Sequence, residues 1–146
     1  MAIRSFIAVG SLALLCCAPV VAEEAVDATF VRDEPAAGVM TLTEVGAEWR
    51  VGWRAGGLPN GGATAADCEL VAQGAQDADG VISARLIPFE GELNTLSAAD
   101  IDADSPIIEV SVGPEGAFVT DGGAAAALCG LGSDIDGFYR RTETAD

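Results

Sequence analysis

Residues 48–55, "EWRVGWRA", alternate without a break. Trp49, Val51 and Trp53 fall on one side, and Glu48, Arg50, Gly52 and Arg54 on the other. A period of two belongs to a strand with one face buried and one wet, not to a helix. The same pattern recurs along the chain. "ATFVR" (28–32), "GVMTLTEV" (38–45), "DCELVAQG" (67–74), "GVISARLIPFE" (80–90), "PIIEVSVG" (106–113), "GAFVTDG" (116–122) and "GFYRR" (137–141) are short and bounded by turn residues. The turn at Val45-Gly46-Ala47 predicts a hairpin between the second and third of these segments. "AQDADG" and "GPEG" predict two more, and "AGGLPNGGAT" (55–64) reads as a loop.

Helical signal is slight. "TLSAAD" (95–100) suits one helical turn capped by Thr95 or Ser97, and "GAAAALCG" (123–130) suits a short helix ending at Gly130. Seven or eight short strands without a long amphipathic helix predict an all-β, mainly antiparallel fold, a small barrel or sandwich.

The N-terminus, "MAIRSFIAVGSLALLCCAPVVAEEA", has Arg4, then an apolar run from Phe6 to Cys17, then small or β-branched residues up to Ala22. This order predicts a secretory signal peptide over residues 1–22, cleaved near Ala22/Glu23. A membrane span needs about 20 apolar residues; this run is shorter and carries Pro19. Acylation at Cys16 or Cys17 would anchor the protein instead, but Leu15 precedes Cys16 where a small residue is wanted. The expected mature chain, Glu23–Asp146, is one exported domain, periplasmic or secreted.

Export leaves Cys68 and Cys129, which are expected to pair as one structural disulfide. They lack C-x-x-C spacing and basic flanks, so redox chemistry is not indicated.

Charge narrows the partners. The net charge is -16, and losing the signal removes only Arg4, so the mature chain carries -17. All basic residues are arginine, and there is no histidine. Such a chain is unsuited to nucleic acid or anionic lipid, because phosphate binding needs cations. It suits a cationic protein partner, a divalent cation or a saline compartment.

Without histidine there is no Ser-His-Asp or Cys-His arrangement and no histidine-held zinc. No phosphate loop or dinucleotide fingerprint is present. With so many acids, a carboxylate pair signals nothing about hydrolysis. A non-catalytic role is therefore expected.

The candidate metal ligands are Asp100, Asp102 and Asp104 in "LSAADIDADSPI". They match positions one, three and five of a calcium loop. Position six is Ser105 in place of glycine, position seven is Pro106, and position twelve is Ser111 in place of glutamate. An EF-hand is excluded. A looser calcium site remains, with Asp77 and Asp79 as helpers should the two loops meet; the rival reading is a solvated acidic turn.

Trp49 and Trp53 read either as core or as a carbohydrate or peptide platform, and the alternation favours core. Arg50 and Arg54 form a local cationic strip that suits cross-strand acids, or less readily an anionic ligand.

In outline the chain is similar to small exported β-barrels that inhibit lysozyme: a signal peptide, one compact domain and few cysteines. The similarity is architectural and maps no inhibitory motif onto these residues. It implies a binding or inhibitor-type module for a basic protein of the cell envelope. The alternatives are a calcium-dependent module and a structural envelope protein with no discrete ligand.

Overall fold

Nearly every segment that alternates in the sequence forms a strand. A computed structural model describes residues 27–56, 67–130 and 132–142. The described strands are β1 (Ala28–Arg32), β2 (Gly38–Val45), β3 (Glu48–Ala55), β4 (Cys68–Gly74), β5 (Val81–Leu86), β6 (Phe89–Glu90), β7 (Thr95–Leu96), β8 (Ile107–Val112), β9 (Gly116–Thr120) and β10 (Gly137–Arg141), with one short helix, α1 (Ala124–Leu128). Eight strands close an antiparallel barrel in the order β1–β10–β9–β8–β5–β4–β3–β2, while β6 and β7 pair apart from it. The all-β expectation holds, and between barrel and sandwich the fold is a barrel. The expected signal peptide and most of the glycine-rich loop lie outside the described residues.

Consecutive strands pair in sequence, so the barrel is an up-and-down meander interrupted only by the β6–β7 ribbon. Its seam is the pairing of β1 with β10, where Phe30 faces Arg141 and Val31 faces Arg140. Because strands alternate direction, the connections divide between two ends. One end has tight turns. Gly46 at φ 67 occupies the first place of the two-residue β2–β3 turn, a left-handed conformation that glycine adopts without strain. The other end carries the longer connections: residues 33–37, 56–67, 87–106 and 121–136.

An eight-stranded barrel leaves an interior just wide enough for side chains. Trp53, Tyr139, Phe30, Met40, Leu70, Ile82 and Ile108 fill it. Small residues, Ala72 beside Leu70 on β4, Ala84 beside Ile82 on β5 and Ala117 on β9, are equally buried and leave room for the large ones. Leu96 of the ribbon is buried too, and Ile101 and Leu128 pack partly against the same core, so the long-connection end is covered.

The helical turn expected over residues 95–100 does not form. Thr95 and Leu96 pair with Glu90 and Phe89 instead, which carries Leu96 into the core. Ser97 then donates both its backbone N–H (2.8 Å) and its hydroxyl (2.6 Å) to Asp100 Oδ2, closing one turn. Burial of Leu96 outweighs an isolated helical turn, which has no cooperative support.

Cys68 and Cys129 stand 5.3 Å apart at Cα, within the range for a disulfide. The bond ties the start of β4 to the end of α1. Closing a loop of 61 residues stabilises by about 4 kcal/mol on the chain-entropy model. Paired thermal melts with and without reductant are expected to show a clearly lower midpoint for the reduced protein, by an amount consistent with that figure.

Candidate functional site

At the long-connection end, one cation is drawn inside the protein. Arg32 shares strand parity with Phe30, so alternation points it inward. Its side chain is 1% exposed. The guanidinium has acceptors around it: Nε donates to the Ala36 carbonyl (3.0 Å), Nη2 to the Asp134 carbonyl (2.7 Å) and Nη1 to the Asp136 carbonyl, with Asp134 Oδ2 3.5 Å from Nη1. It also lies 5.3 Å from the centroid of the Tyr139 ring.

Around it, Asp121 is buried and accepts the backbone N–H groups of Gly123 (2.7 Å) and Ala125 (2.8 Å), capping α1. Asp136 accepts the Asp121 N–H (2.6 Å). Desolvation raises the Asp136 pKa; the hydrogen bond from the Asp121 N–H opposes it, and the carboxylates of Asp121 and Asp134 add to it. Tyr139 donates its hydroxyl to the Ile135 carbonyl (2.9 Å). Burial pushes the phenol up to about 12, partly opposed by Arg32.

This cluster meets its own hydrogen-bonding needs, so it organises the barrel end and offers little to a ligand. No role for Arg32, Asp121, Asp134 or Asp136 emerges from residue types alone. The available signal was Arg32 at the inward parity of β1.

The aspartates lie elsewhere. Asp100 is engaged by Ser97, whose hydroxyl and then backbone N–H hold its carboxyl below the usual range. Asp102 Oδ1 accepts the Asp104 N–H (2.9 Å), and Ser105 Oγ accepts the Asp102 N–H (3.0 Å). Asp77 Oδ1 accepts the N–H groups of Asp79 and Val81, both at 2.9 Å, in the β4–β5 turn. That turn closes the tight end of the barrel, whereas residues 97–106 belong to the opposite end, so the two loops do not meet. Among the described residues no three acidic, cysteine or histidine side chains gather as a metal site.

Trp53 is 1% exposed, inside the barrel, and Trp49 is partly buried against the same core. The pair forms no open platform. Arg54 points outward to Glu92 (2.8 Å), an acid of the β6–β7 connection and not a cross-strand neighbour.

The feature that residue types did not announce is an apolar band on the outer wall. Phe118 (55% exposed) and Phe138 (51%) stand directly opposite each other on β9 and β10. Val31 and Val39 stand opposite each other on β1 and β2. Val31 and Phe138 line one cleft of about 350 Å³ together with Arg32, Asp33, Glu34 and Arg140. The band therefore crosses four neighbouring strands. The Phe138 ring lies on Gly116: a Cβ there would fall 2.6 Å from its Cζ and 2.3 Å from the Tyr139 carbonyl oxygen. Glycine is what lets the ring rest against the sheet.

No protein-family model, characterised protein or solved structure matches this chain.

Two outcomes follow from the Arg32 cluster. Arg32→Met is expected to lower stability by about 3 kcal/mol in a denaturant titration, because it strands the Asp134 carboxylate and the three carbonyls that the guanidinium serves. The single tyrosine is expected to ionise near pH 12 in an ultraviolet titration of the folded protein, and near 10 once unfolded. Because the folded value is the higher, its contribution to stability is complete below about pH 10 and fades as the pH climbs toward 12.

Proposed function

We propose that this chain is an exported, non-catalytic β-barrel of the cell envelope that binds a cationic protein. The observation that carries the reading is how charge is distributed between interior and surface. Among the described residues, sixteen carboxylates are exposed, against four arginines: Arg54, Arg85, Arg140 and Arg141. Arg32 is internal, Arg54 is held by Glu92, and Arg140 lies 3.9 Å from Asp33. The outward field is therefore set by acids, which draw a basic partner and speed its approach.

A non-catalytic role fits the polar cluster, whose groups are taken up by one another. Export fits the leader-like N-terminus and the paired cysteines. The architectural similarity to lysozyme inhibitors supplies a first probe.

Immobilised protein is expected to bind a basic lysozyme at low salt. The association rate should fall steeply as ionic strength rises, because the Debye length shrinks to about 10 Å at 0.1 M. No binding at low salt across several lysozyme types would remove the lysozyme assignment, and no binding to other basic proteins would remove the cationic partner altogether.

A further inference from the structure

We infer that the cationic partner docks on the outer wall formed by β2, β1, β10 and β9, and that one of its arginine or lysine side chains enters the cleft between the Phe138 ring and the Asp33–Glu34 turn. The inference rests on the reading of a cationic partner and specifies where that partner sits.

The apolar band is one half of the argument. Val39, Val31, Phe138 and Phe118 cross three strand spacings, about 14 Å. That is wider than one side chain needs and suits the surface of a folded protein. Half-exposed aromatics are what interfaces use as anchors. Phe138 is held in advance: its ring rests on the Gly116 backbone, so binding does not have to immobilise it.

Charge is the other half. Asp33 and Glu34, both exposed, line the cleft together with Phe138. Arg32 lines the cleft, but its guanidinium is turned inward and engaged. Arg140 also lines the cleft, and its pairing with Asp33 is loose: 3.9 Å between side chains that are 61% and 83% exposed. Such a surface pair contributes little, so an incoming guanidinium or ammonium displaces it at small cost. The incoming cation then meets carboxylates on one side and an aromatic face on the other, the arrangement for cation–π contact. Its aliphatic stem lies along Phe138 and Val31. An anionic ligand would gain only Arg140 and would face two carboxylates.

The test uses the disulfide-intact protein with two probes, hexa-arginine followed by backbone amide shifts and a basic lysozyme followed by surface binding. Shifts are expected to concentrate at residues 31–34, 116–118 and 138–140. The variant Phe118→Ser/Glu34→Gln is expected to bind lysozyme about tenfold more weakly with an unchanged thermal midpoint, since both side chains are exposed. Asp77→Asn/Asp79→Asn, at the tight end of the barrel, removes more charge far from the cleft and is expected to weaken binding less. Shifts spread evenly over the acidic surface, or equal weakening by the two variants, would overturn the docking face and leave the cationic partner standing. Failure of both probes to bind wild-type protein at low salt would overturn the cationic partner, and the face with it.

Discussion

Arg32 holds the place where the barrel closes. The first and last strands meet at a short seam, and the guanidinium at the end of β1 reaches across it to the carbonyls of residues 134 and 136, just before β10 begins. Taking a charge out of water costs several kcal/mol, and the cost is recovered only when the donors find acceptors and a counter-charge lies close. Here three backbone carbonyls and the Asp134 carboxylate meet it, with the Tyr139 ring alongside. The same segment supplies Asp136 to the Asp121 N–H, and Asp121 in turn caps α1. Seam, helix and terminal strand are thus held by one connected set of polar contacts.

Keeping this arginine inside shapes the outside. A chain with few cations commits one to its interior and faces others with acids, so the surface field is more one-sided than composition alone implies. The outer wall of β9 and β10 departs from that polar character. Two aromatic side chains point outward there, and the interior explains why. Trp53, Tyr139, Phe30 and Met40 already fill a narrow barrel, and the inward places on β9 fall to Ala117 and Val119. Volume inside the barrel leaves Phe118 and Phe138 outside, where glycine at 116 lets the Phe138 ring approach the strand closely.

Much of this was legible from local pattern. β2 and β3 follow from unbroken alternation around a tight glycine turn, β8 and β9 from branched residues flanking "GPEG", and α1 from its run of alanines. The ribbon at β6 and β7 was not legible. Two-residue strands carry no periodicity, and only the burial of Leu96 reveals why residues 95 and 96 extend where a helical turn was expected. The acidic loop was visible as a cluster of aspartates, yet its hydrogen bonds run within its own turns, and the topology sets Asp77 and Asp79 at the other end of the barrel.

The sequence by itself determined the eight barrel strands and the sign of the surface, because these depend on residue type and on neighbours a few positions away, and it left two cysteines beyond the expected leader to pair. Tertiary structure decided which of two apolar faces turned inward on β9 and β10, that Arg32 would be desolvated, and that a cleft would open beside Phe138. Those outcomes depend on contacts between residues about a hundred positions apart and on the fixed interior volume of an eight-stranded barrel, and neither is written in any local stretch.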